Sequence, residues 1–137
     1  MSYKIDTIEG IGTKYKKVLE GAGIINTGQL LDRAAKKKGR KDLAKEVGIE
    51  ETLILKWANM ADLMRVKGVA KEYSELLEVA GVDTVKELRK RKPENLHKAM
   101  CEANEKRKKK MVRQVPGVAQ VEKWVASAKE LDPVMTY

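Results

Sequence analysis

Apolar residues recur along this chain at intervals of three and four, and no stretch alternates as a half-buried strand would. Tyr15, Val18, Leu19 and Ala22 predict a helix that opens after Gly10-Ile11-Gly12 and is capped near Gly21 or Gly23. Asn26 with Gln29, and Thr84 with Glu87, each have the form of a capping box that opens a further helix. Lys36–Lys41 reads as a basic loop, followed by a short helix to Val47 that Gly48 ends. Residues 50–64 predict an amphipathic helix with Leu53, Trp57, Met60, Ala61 and Met64 on one side. In the second half, Thr84 to Arg91 reads as helical, and Pro93 both stops it and opens a helix carrying Leu96, Met100 and Ala103. Asn104 to Lys110 has no apolar residue and reads either as a solvated helical extension or as a loop. Val115–Val118 reads as a tight turn, and a last helix with Val121, Val125 and Ala128 on one face ends at Asp132-Pro133. The pattern predicts an all-α fold.

The pattern occurs twice. A shift of 58 lays residues 66–89 over residues 8–31 with seven of 24 positions identical, among them Gly10/Gly68, Tyr15/Tyr73, Leu19/Leu77, Glu20/Glu78 and Gly23/Gly81. A shift of 67 lays Val121-Glu122-Lys123-Trp124 over Ile54-Leu55-Lys56-Trp57, so the second copy is nine residues longer in its middle. A period of this size is settled before any other reading. It predicts two modules, 1–64 and 65–137, packed as one compact, right-angled bundle of about eight short helices.

Composition narrows the core. Phe is absent and there are six aromatic residues, so Leu, Val, Ile, Ala and Met must fill it, with Trp57 and Trp124 inside and Tyr15 and Tyr73 packed with wet hydroxyls. The net charge is +9, divided as +3 over residues 1–64 and +6 over 65–137. A basic balance of this kind favours polyanions, nucleic acid before anionic membrane. Three basic runs, Lys36–Lys41, Arg89–Lys92 and Lys106–Lys110, should share a face with Gly10–Lys14 if the surface is a nucleic-acid footprint; otherwise they are solvated surface.

Little else carries chemistry. Cys101 is the one cysteine, so no intramolecular disulfide forms and a reducing compartment is expected; its side chain reads as a small buried hydrophobe. With one histidine, His97, no zinc site of ordinary composition can be assembled, and no metal or cofactor is expected. No P-loop, nucleophile elbow or Ser-His-Asp arrangement is visible, and Glu50-Glu51 reads as charge at a helix start, which argues against an enzyme. No long apolar run and no leader-like N-terminus are present, so the chain is expected to be cytoplasmic and to have no membrane partner.

Gly10-Ile11-Gly12 with Leu19 seven residues on, then Ala22-Gly23-Ile24, Thr27 and Leu30, resembles the helix-hairpin-helix superfamily. The tandem layout with its Trp-bearing helices resembles an uncharacterised bacterial family of paired helix-hairpin-helix modules, which has no function to carry over. In DNA-binding members of the superfamily, hairpin amides grip a phosphate, sometimes with a monovalent cation on the hairpin carbonyls. The resemblance therefore implies a phosphate contact at Gly10, Ile11 and Gly12, side-chain contacts from Thr13 and Lys14, and a flanking charge from Lys17. Gly68, Ala70 and Lys71 would form a weaker second site. Three departures bear on this. Ala70 replaces the second glycine of the second hairpin, Lys16 stands where a small residue such as Ser74 is usual, and only seven residues precede the first hairpin. The implied function is weak, sequence-independent binding of double-stranded DNA, centred on the first hairpin. The alternative is a scaffold module that binds another protein and has lost the phosphate site.

Overall fold

Each copy begins with the same tight turn. The amide of Ile11 donates to the Ile8 carbonyl at 3.2 Å, and that of Val69 donates to Val66 at 3.0 Å. Between them Gly10 and Gly68 have φ of +94° and +91°, a region that side chains disfavour at the third position of such a turn. The turns bury Ile8, Ile11, Val66 and Val69 and lead into α1 (Thr13–Gly21) and α5 (Lys71–Val79). The structure is a computed structural model that describes residues 2–106 and 115–137.

The remaining helices are α2 (Thr27–Ala34), α3 (Lys37–Val47), α4 (Glu51–Leu63), α6 (Val85–Leu88), α7 (Pro93–Lys106) and α8 (Val118–Glu130). The bounds of α1 and α5 differ by the predicted 58, and those of α4 and α8 by the predicted 67. Both α1 and α5 end in the same way. Ile24 and Gly23 donate back to Leu19 and Glu20, Val82 and Gly81 donate to Leu77 and Glu78, and both glycines have positive φ. This is a Schellman cap, and it selects Gly23 over Gly21 as the terminator. No strand occurs among the described residues; one antiparallel bridge joins Lys4 to Asn26, and a 3₁₀ turn at Ile5–Thr7 replaces a leading helix before the first turn.

Four expectations need correction. Lys37–Lys41 is not a loop but the first turns of α3, with Lys36 at its cap. The reason is Arg40, which is buried and donates to the carbonyls of Ala34, Ala35 and Thr136. Gly39 is a packing glycine, because a Cβ there would overlap the Arg33 carbonyl oxygen of α2. Second, α6 stops at Leu88, where Arg89–Arg91 continue as turns. Third, the capping boxes are half made. Asn26 and Thr84 accept from the amides of Gln29 and Glu87 at 2.8 and 3.3 Å. Gln29, however, returns its bond to Ile25 and not to Asn26, and the Glu87 carboxylate takes Arg91 instead. Fourth, Gly117 is the extended N-cap of α8, without a tight turn at 115–117. Residues 104–106 are helical, with Asn104 buried; 107–110 lie outside the described residues.

The apolar side chains form two clusters. One gathers Ile5, Ile8, Leu19, Leu30, Leu43, Ile54, Trp57 and their neighbours; the other gathers Val66, Leu76, Leu77, Leu88, Leu96, Met100, Trp124 and theirs. α4 serves both, since Met64 just after its end packs in the first and its last residue, Leu63, in the second. The segment after α8 returns to the first cluster through Val134 and Met135, and Thr136 donates to Ala35. Asp62, on α4, is 1% exposed and ties the halves together. One of its oxygens accepts from Arg65 at 2.8 Å and the other from the amide of Val85, at the start of α6, also at 2.8 Å. Arg65 in turn donates to the carbonyl of Asp132. Each buried oxygen therefore has a partner, which is the condition for keeping a carboxylate inside.

Candidate functional site

The start of α1 is open. Gly12, its N-cap, has an extended conformation (φ −85°, ψ −172°), no side chain caps the helix, and nothing lies within 4 Å of where a Cβ would project. The first amides of a helix have no partner within it and carry the positive end of its dipole. No acidic residue sits in the first turn. Lys14 and Lys17 are exposed and take part in no ion pair among the described residues, whereas Lys16 lies 3.6 Å from Asp6. Thr13 is exposed, and Ile11 is buried, so it offers only its backbone.

A tryptophan supports each turn from below. A Cβ added to Gly10 would lie 3.6 Å from Trp57 Nε1, and one added to Gly68 would lie 3.2 Å from Trp124 Nε1. Tyr15 and Tyr73 pack against those indoles with ring centroids 5.0 and 5.3 Å apart. The Trp124 Nε1 is buried with no hydrogen-bond partner among the described residues. The tryptophans are thus framework for the turns, as expected.

The second turn keeps the backbone and changes the chemistry. Ala70 occupies the same extended region as Gly12 (φ −124°, ψ −158°), so the alanine is accommodated without strain. What it changes is a methyl group at the mouth of the turn. Glu72 also enters the first turn of α5, and Lys71 is paired with Glu9 of the first turn at 3.3 Å. Ser74 is fully buried and donates to the Lys71 carbonyl. The Glu9–Lys71 pair places the two turns side by side.

No hydrogen bond or ion pair among the described residues joins Lys36–Lys41 or Arg89–Lys92 to the first glycine turn, and of the run Lys106–Lys110 only Lys106 lies within the described residues. The described arginines serve the architecture. Arg33, Arg40, Arg65, Arg89 and Arg91 each donate to a main-chain carbonyl, respectively those of Ala22, Ala34, Asp132, Lys129 and Gly81. Arg33 and Arg91 are another pair related by 58 residues, just beyond the stretch of strongest identity. Both close the end of the helix after the glycine turn. Among the described residues, the cations that no ion pair or hydrogen bond holds are therefore mostly lysines.

Two further groups stand out. Glu78 has one oxygen buried without a partner among the described residues, and burial holds its pKa above the usual carboxylate value. Lys56 opposes that shift, while Asp83 and Glu75 add to it. Its repeat partner Glu20 is exposed, so the identity of the two residues conceals a difference in environment. Cys101 is half-buried and not fully inside, with Sγ 3.7 Å from His97 Nε2 one helical turn back on α7. Among the described residues no group of three or more His, Cys, Asp or Glu side chains could hold a metal ion, and no helix is long and apolar enough to cross a membrane.

This is an all-α protein whose helices repeat, with an uncapped, lysine-flanked helix start on a glycine turn. The chain belongs to the family described as Domain of unknown function (DUF4332), whose model matches residues 9–131. No curated protein and no solved structure matches it.

Proposed function

We propose that this is a non-enzymatic binding module of helix-hairpin-helix type that holds the phosphate backbone of double-stranded DNA, without sequence preference, at Gly10–Lys17. The observation that carries the reading is the start of α1, which has free amides, an open Gly12, no acid in the first turn of the helix itself, and Lys14 and Lys17 in no ion pair among the described residues. A phosphate there meets the positive end of the helix and two ammonium groups. Such contacts position a protein on a duplex and read no bases.

The test is duplex affinity at several salt concentrations. Lys14→Glu should weaken binding equally for unrelated sequences and lower the salt slope by about one. Unchanged affinity after Gly12→Val and Lys14→Glu together would make the turn purely structural. If the wild-type protein binds no duplex even at low salt, the scaffold reading takes its place. Glu9 favours that second reading, since it sets an acid between the two turns and engages Lys71.

A further inference from the structure

The lysines of α3 are sorted by sign in a way that solvation does not require. With an advance of about 100° per residue, Lys37, Lys41 and Lys45 follow one line along the helix at i, i+4 and i+8, with Lys38 beside it. The buried side holds Arg40 and Leu43. Of the two acids, Glu46 falls on the far flank, 3.3 Å from Arg33. Asp42 lies one turn beyond Lys38 and shares with it, Lys36, Arg33 and Arg65 the lining of a groove of about 960 Å³, without an ion pair to any of them among the described residues. Lys37, Lys38, Lys41 and Lys45 are all exposed, and none of them forms an ion pair among the described residues.

This arrangement opposes the helix's own stability. The first turn of α3 carries Lys37, Lys38 and Arg40, has no acid and has no side-chain cap. Cations at the positive end of a helix dipole are unfavourable. The helix in the corresponding place of the second copy, α7, does the reverse. It opens with Glu94 and runs Glu94, Lys98, Glu102 along one face, the mixed signs of an ordinary solvated surface. α3 has five basic and two acidic side chains, α7 two and three.

We propose that the Lys37–Lys41–Lys45 line is a second contact surface for the phosphate backbone of a nucleic acid, separate from the first glycine turn. The ammonium groups recur at about 6 Å along the helix axis, on flexible stems that let each reach its own phosphate. An anionic membrane is the poorer fit, because an interfacial helix must offer apolar side chains to the lipid, and those of α3 are turned into the core, with Leu43 fully buried. The inference shares its polyanion with the proposed function but not its site, so the two can fail separately.

The experiment compares wild type, Lys37→Gln/Lys41→Gln/Lys45→Gln and Lys14→Glu by anisotropy of a labelled short duplex between about 50 and 200 mM salt. Thermal melts serve as a folding check. The triple variant should melt no lower than wild type, and its slope should fall by roughly two to three, at about 0.9 for each phosphate that is no longer neutralised. An unchanged slope in the triple variant, with a reduced slope in Lys14→Glu, overturns the α3 surface and leaves the turn standing. The opposite result supports α3 and removes the turn. Wild-type protein that ignores duplex but is retained by phosphatidylserine vesicles overturns the nucleic-acid assignment, and protein that binds neither overturns both sites.

Discussion

The two copies share the backbone of their glycine turns and differ in what three of their four helix starts present; the fourth pair runs the other way, with Glu51 in the first turn of α4 and no acid in that of α8. The first turns of α1 and α3 in the first copy hold lysines and no acid, whereas those of α5 and α7 in the second hold Glu72 and Glu94. The turns before α1 and α5 have nearly the same φ at their first glycine and the same extended conformation at the second position. The repeated residues Gly10/Gly68, Tyr15/Tyr73 and Trp57/Trp124 therefore maintain the fold, while function is to be sought where the copies disagree. On that comparison the second glycine, Gly12, is a matter of access and not of conformation.

The comparison breaks most severely at Asp62, which has no counterpart in α8, where Lys129 stands at the matching position. Asp62→Ala leaves Arg65 without its carboxylate and the Val85 amide without its acceptor. A destabilisation of about 3–5 kcal/mol is expected from urea unfolding, the usual cost of breaking a buried pair by removing one partner. A value below about 1 kcal/mol would mean that Asp62 does not join the halves.

Glycines divide into those the fold needs and those it does not. Gly39→Ala should cost about 1–3 kcal/mol, because α2 and α3 must separate to admit the methyl group. Gly12→Ala meets open space at an ordinary φ; the gain from a stiffer unfolded chain is opposed by the preference for glycine over alanine at an N-cap, so stability should stay within about 1 kcal/mol of wild type. Equal destabilisation at both positions in thermal melts would contradict the distinction.

A smaller effect sharpens the Glu20/Glu78 pair. The folded protein holds the Glu78 pKa above its unfolded value of 4.5, so the folded state binds its proton more tightly. The stability Glu78 contributes is present below that unfolded value and is lost as pH rises through the folded pKa. Glu78→Gln keeps the neutral form at every pH. It should match wild type in acid and exceed it at neutral pH, with Glu20→Gln changing stability by less than about 0.5 kcal/mol. A variant less stable than wild type at pH 7 would contradict the sign.

Local signals are legible in the sequence where the physics is local. The glycine turns, the Asn26 and Thr84 caps, Pro93 at a helix start and both repeat offsets depend on a few neighbouring residues, and the structure has them. Lys37–Lys41 reads as a loop because a glycine among lysines is poor helix material by propensity. What holds that helix is Arg40 reaching the Thr136 carbonyl, 96 residues away, and no window of sequence contains both. Asp62 escapes a sequence reading for the same reason, since its partner amide at Val85 is 23 residues on. Arg33 and Arg91 could have been found, because the offset of 58 pairs them. Their shared role as donors to the ends of α1 and α5 is invisible without coordinates.

If the charge at the helix starts distinguishes the copies, it should be transferable. Ala70→Gly with Glu72→Lys gives the second turn the chemistry of the first on an unchanged backbone. That variant should raise the salt slope of duplex binding by up to about one. No change would place the limit at the Glu9–Lys71 pair, which Glu9→Gln in the same background then relieves.

The most direct measurement sets Lys14→Gln beside Lys71→Gln and reads the salt dependence of duplex affinity for both. The first turn alone is expected to matter, so Lys14→Gln should lower the slope by about one and Lys71→Gln by clearly less. An equal or larger drop for Lys71→Gln would contradict the account, because the second turn would then bind as well as the first despite Ala70, Glu72 and Glu9.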